Sequence, residues 1–125
     1  MIVFDTLDNL ELYRPIKAEL QHVIDIMDRS LPYDQTPGEY KCPENDKVTY
    51  KVDAFLTGKG FEYEPVKDKL TMEIILEGEA LTTLDGENVF SMAPGRFLLY
   101  SDEYKVRRGV LKTLPFSVKS VIFSF

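Results

Sequence analysis

At 125 residues the chain has the size of one domain, since two halves would each be too small to bury a sound core, and 44% hydrophobic residues with seven Tyr and eight Phe supply that core. A formal net charge of -6 sets a repulsive field against phosphate backbones and argues against nucleic acid as a partner. A single cysteine, Cys42, leaves no intramolecular disulfide, and neither a leader-like start nor a bilayer-length apolar segment occurs, so a cytoplasmic protein without a membrane partner is expected.

Ile2 to Phe4 reads as a short edge strand. Asp5 and Thr6 then offer N-cap oxygens to a short helical element through Leu7, Leu10 and Tyr13. Pro15 suits a first helical position, and Ile16, Leu20, Val23, Ile24 and Met27 recur at helical spacing to about Ser30. That amphipathic helix is expected to end at Leu31-Pro32, because a residue before proline is pushed out of the α region. His22, the only histidine, falls beside Ala18 and Asp25, off the apolar stripe, and reads as a surface or boundary residue.

From Thr36-Pro37-Gly38 onward the period changes to two. After a short run at Tyr40 to Cys42, Val48, Tyr50, Val52, Ala54 and Leu56 alternate with polar or bulky partners as a half-buried strand. Gly58-Lys59-Gly60 breaks it, and the polar stretch to Lys69 is expected as a loop carrying Glu62, Tyr63, Glu64 and Asp68. Leu70 to Leu76 alternates again, Glu77-Gly78-Glu79 turns the chain into Ala80 to Leu84, and Asp85-Gly86 is a hairpin signal. Val89 and Phe90 lead to Ala93-Pro94-Gly95, the strand Arg96 to Tyr100, and a closing apolar strand from Ser117 to Phe125. Short strands at regular spacing, led by helices, predict a mainly β sandwich or barrel in one domain: a helical section at 1–32 and a β-sandwich over 38–125.

The opening Phe4-Asp5-Thr6-Leu7-Asp8-Asn9-Leu10-Glu11-Leu12-Tyr13, the later Ile75-Leu76-Glu77-Gly78-Glu79, Pro94-Gly95 before a strand, and the closing Ser117-Val118-Lys119 occur in an order that resembles the YhcH/YjgK/YiaL family, nearly end to end. That family includes the small β subunit of the evolved β-galactosidase. The resemblance implies a cupin-like jelly roll, a double-stranded β-helix with N-terminal α-helices, and an association with sugar metabolism and interconversion of sugar anomers. It also implies a metal site drawing on a Glu-x-His and a second His. At the matching positions this chain has Glu64, Val66 where the first histidine would stand, and Tyr104 at the second, with Lys105 beside it. A divalent ion needs about three good ligands, so no tightly bound transition metal, and no other cofactor, is expected.

Glu64, Glu73 and Tyr104 are the candidate catalytic residues around the implied cavity, with Arg96, Lys105 and Arg107 as candidate ligand-binding neighbours of opposite charge. Opening a sugar hemiacetal needs one group to take the anomeric proton and another to protonate the ring oxygen, which two carboxyls, or a carboxyl and a phenol, perform without metal. The bland alternative places Glu73 on a solvated strand face, Glu64 in a solvated loop, and Lys105, Arg107 and Arg108 as solubilising charge. Thr71, Glu73 and Ile75 share one strand face and Met72, Ile74 and Leu76 the other, and the pattern leaves open which is buried. Tyr50, Tyr63 and Tyr100 fit either sugar stacking or core packing. Thr57-Gly58-Lys59-Gly60 lacks the spacing of a phosphate loop, and Cys42 has no histidine partner beyond His22 to activate it.

Two functions follow. One is a protein that binds a sugar or sugar acid in a cupin-like cavity and assists anomer interconversion without metal. The other is a non-catalytic accessory subunit, with a glycosidase as partner. Exposed apolar faces of the terminal strand Val118 to Phe125 are expected to favour a homodimer.

Overall fold

Alternating sequence from Gly38 onward becomes antiparallel sheet in the computed structural model, which describes residues 1–56, 61–109 and 117–125. Thr57 and the expected Gly58-Lys59-Gly60 break lie outside the described residues. The chain begins with β1 (Ile2–Thr6), a 3-10 helix (Leu7–Ile16), α1 (Leu20–Asp28) and the short α2 (Leu31–Asp34). The strands follow as β2 (Gly38–Cys42), β3 (Asn45–Leu56), β4 (Phe61–Tyr63), β5 (Thr71–Glu77), β6 (Ala80–Leu84), β7 (Asn88–Met92), β8 (Arg96–Tyr100), β9 (Val106–Gly109) and β10 (Ser117–Ser124). They form a larger sheet in the order β1-β8-β5-β10-β3-β2 and a smaller one in the order β4-β9-β6-β7. No helix among the described residues is long and apolar enough to cross a membrane.

The larger sheet is buried on both faces. Its outer face packs Val48, Tyr50, Val52, Met72, Ile74, Phe97, Leu99 and Phe123 against Leu20, Val23, Ile24 and Ile26 of α1. Its inner face packs Ile75, Leu98, Tyr100 and Val118 against Ala80, Leu84, Met92 and Val106 of the smaller sheet. The choice between the two faces of β5 is therefore no choice, because every residue from Thr71 to Leu76 is buried. Alternation identifies two faces, but it cannot say that a helical layer covers the one the second sheet does not.

Four local expectations need correction. Pro15 lies inside the 3-10 helix and α1 begins only at Leu20, after Lys17 has taken an extended conformation. Ile16 consequently falls off the apolar stripe at 39% exposure, and Ile26 joins the core instead. α1 ends at Asp28, and Ser30, at φ 55, redirects the chain so that Leu31-Pro32 starts α2 rather than ending α1. The stretch expected as one loop contains β4, which pairs with β9. The terminal strand β10 lies between β3 and β5 with Val118, Val121 and Phe123 in the core and only Ile122 half-buried, so it does not present the exposed apolar face that was expected of it.

Gly78 turns the chain from β5 of the larger sheet into β6 of the smaller one. Its φ is +83°, and a Cβ added there would stand 2.5 Å from the Ser117 carbonyl oxygen and 3.3 Å from Val118 Cα, both backbone atoms of the adjoining strand. Gly78→Ala therefore combines left-handed strain with a backbone clash, and a loss of about 2 kcal/mol or more in chemical denaturation is expected. A change below about 0.5 kcal/mol would show that the turn and β10 separate easily.

Candidate functional site

Side-chain donors from four strands converge on one carboxylate between the sheets. Glu73 projects inward from β5, fully buried, and Arg108 reaches it from β9 with 1% exposure. Arg108 donates to Glu73 Oε1 from Nε at 2.9 Å and from Nη2 at 2.7 Å, and from Nη1 to Ser120 Oγ of β10 at 2.8 Å. Thr82 of β6 donates to the same Oε1 at 3.1 Å. The other oxygen, Oε2, accepts from Tyr100 of β8 at 2.5 Å and from Tyr63 of β4, and the two tyrosine hydroxyls also meet each other. The guanidinium carbon stands 5.5 Å from the Phe55 ring centroid, so the cation has an aromatic face as well.

Burial by itself pushes the Glu73 carboxyl up, but the Arg108 charge and the hydrogen bonds from Tyr100, Tyr63 and Arg108 outweigh it and hold the group below the usual carboxylate range. Burial and the neighbouring Glu73 charge raise both Tyr63 and Tyr100, so their hydroxyls stay protonated as donors. The result is an ionised carboxylate with its lone pairs occupied. It ties both sheets together and has no capacity to exchange a proton with a ligand.

This interior does not suit a divalent ion. Glu73 has no free lone pair, a fixed guanidinium occupies its flank, and the nearby hydroxyls are neutral. Among the described residues no group of three or more His, Cys, Asp or Glu gathers in a way that could hold a metal. Val66, at the position where the resemblance places a histidine, carries no donor.

Beside this cluster the larger sheet extends past the smaller one and leaves a cleft of about 710 Å³. Its floor is the inner face of β2, β3, β10 and β5, and its wall is the segment from Glu62 to Val66. One row across the floor runs Lys41, Thr49, Ser124, Thr71 in direct register. The next runs Glu39, Lys51, Ile122, Glu73. Lys51 also approaches Asp53 at 3.7 Å. Tyr63 belongs to both places, lining the cleft while its hydroxyl reaches Glu73.

The candidate residues separate. Glu64 is exposed and lines the cleft, Glu73 is sealed in the interior, and Tyr104 lies edge-on to Tyr100 with ring centroids 6.5 Å apart. The Tyr104 hydroxyl accepts from the Met1 amino group at 3.1 Å. None of the three basic candidates lines the cleft. Arg96 is exposed and donates to the Ser91 carbonyl, Lys105 donates its backbone N–H to Asp85 at 2.8 Å, and Arg107 is exposed with Glu62 and Thr83 opposite it in register. Tyr50 stacks on Tyr40 at 5.4 Å, His22 is half-buried on α1, and the buried Cys42 thiol donates to Glu44. Sequence reasoning missed Arg108, Thr82, Ser120 and the floor hydroxyls. For Arg108 the signal was present, because a two-residue period puts it on the side of the buried Val106.

Solved structures of the same shape are numerous. A cupin protein from Bacteroides fragilis matches with a TM-score of 0.59 at 15% identity, over 73% of this chain and 76% of its own. The cupin domain of an XRE-family transcriptional regulator from Enterobacter cloacae matches with a TM-score of 0.56 at 14% identity, over 72% of this chain and 96% of its own. A DMSP lyase from Ruegeria pomeroyi matches with a TM-score of 0.54 at 14% identity, over 64% of this chain, and the match spans only 39% of that enzyme. The fold is therefore cupin-like: mainly β, two antiparallel sheets in a sandwich, with short N-terminal helices, as the sequence led us to expect. Identities this low establish the fold alone. No family profile matches the chain, and no curated protein does.

Proposed function

We propose that this protein binds a sugar-like polyol in the cleft beside the Glu73 cluster. The observation that carries the reading is the cleft itself, with hydroxyl, carboxylate and ammonium groups on its floor and the Tyr63 ring in its wall. Such a mixture of donors, acceptors and an aromatic face suits a ligand rich in hydroxyl groups. The resemblance to the YhcH/YjgK/YiaL family supports the same ligand class.

Binding is favoured over turnover. Ring opening needs an acid and a base at one ligand, yet of the three catalytic candidates Glu73 is saturated and Tyr104 lies outside the lining, which leaves Glu64. Titration of labelled protein with neutral sugars and sugar acids, followed by amide NMR, tests the reading. Shifts concentrated at Thr49, Thr71, Ser124 and Tyr63 are expected, with no acceleration of anomer exchange in the same samples. Absence of shifts with every sugar up to its solubility limit would end it.

The filled interior also favours a second reading, an accessory subunit that retains the fold as a scaffold. Co-purification with a glycosidase, together with an empty cleft in the titration, would establish that reading instead.

A further inference from the structure

Thr71 carries a polar atom that the fold does not use. The residue is 1% exposed, it lines the cleft, and its Oγ1 is buried without a hydrogen-bond partner. Buried hydroxyls almost always find partners, and leaving one unpaired is costly. Valine has nearly the same shape, suits a strand at least as well and carries no such cost, so packing gives no reason for threonine here.

The cross-strand neighbours of Thr71 also carry hydroxyls. Ser124 stands opposite it on β10, and Thr49 stands opposite Ser124 on β3, so three hydroxyl side chains lie in one line across the floor. Adjacent strands are about 4.8 Å apart, which is close to the separation of alternate equatorial hydroxyls on a pyranose ring. A ring lying over Thr71 and Ser124 presents one such hydroxyl to each of the two side chains.

Resting on the binding reading above, we infer that Thr71 is the specificity-determining residue of the cleft: its unpaired Oγ1 accepts from or donates to one particular hydroxyl of a neutral sugar, with Ser124 taking the alternate one. Stability and recognition then oppose each other at this residue. The free protein holds an unsatisfied group that the ligand completes.

The test uses the whole chain with D-glucose, D-galactose and D-mannose and their monodeoxy analogues as probes, against wild type, Thr71→Val and Thr71→Ser. Thr71→Val is expected to raise the melting temperature of the free protein. It should also weaken the bound parent sugar roughly tenfold, the scale of one neutral hydrogen bond. One deoxy analogue should bind wild type more weakly by the same factor, and Thr71→Val should no longer distinguish it from the parent. Thr71→Ser should keep the discrimination. If the sugars bind wild type but Thr71→Val still discriminates among the analogues, the role of Thr71 is overturned while the binding reading stands. If none of the probes binds wild type, both fail together.

Discussion

Arg108→Met lowers the unfolding free energy by about 3–5 kcal/mol in urea denaturation, because it strands the fully buried Glu73 carboxylate without its countercharge. Glu73→Gln has a similar effect from the other side, leaving a guanidinium at 1% exposure beside a neutral amide. Combining Arg108→Met with Glu73→Leu recovers much of the loss, since neither charge then needs solvation and both replacements pack against apolar neighbours. Recovery is incomplete. Tyr63 and Tyr100 retain each other as partners, but Thr82 loses its acceptor and Ser120 its donor, at about 1–3 kcal/mol for each hydroxyl left dry. Single variants within about 0.5 kcal/mol of wild type would mean that water reaches the pair and the sheets are not closed over it.

Local sequence hides the Glu73–Arg108 pair. Lys105, Arg107 and Arg108 look like one basic patch, and patches of charge ordinarily lie in water. Strand period separates them: Val106 and Arg108 point inward and Arg107 outward, while Lys105 precedes the strand. Glu73 was visible as a candidate acid, but its partner arrives from a residue 35 positions away, on a strand of the other sheet. No local pattern predicts that meeting.

The fold was more legible than the site because it rests on repeating signals. Alternation marks β3 and β5, and Asp85-Gly86, both with positive φ, turns β6 into β7. β4 was lost among polar residues because three residues are too few to show a period. The cleft floor was out of reach for a different reason. Thr49, Ser124 and Thr71 are far apart in the chain, and they form one line only because the sheet order β3-β10-β5 follows no sequence order. The helical layer over the outer face likewise follows from tertiary packing, and it is what makes all six residues from Thr71 to Leu76 buried.

Acid unfolding exposes the same pair through its pH dependence. Glu73 is held below the ordinary glutamate value of 4.5 in the folded protein, so its contribution to stability is fully present above that value and is lost as pH falls from there through the folded-state value. Tyr63 and Tyr100 remain protonated and Arg108 remains charged throughout this window, which leaves Glu73 as the titrating member of the cluster. Glu103, held down to about 2 by Ser101 and the Met1 amino group, and Asp5, held down by Tyr13 and Asn9, titrate in the same direction, but both are exposed to solvent screening. A glutamine at position 73 resembles a protonated glutamate in being neutral, so wild type and Glu73→Gln should differ most at neutral pH and converge as the solution is acidified. Urea midpoints measured in steps from pH 7 downward read this directly. Curves that stay parallel would show that Glu73 is not the group whose ionisation holds the two sheets together.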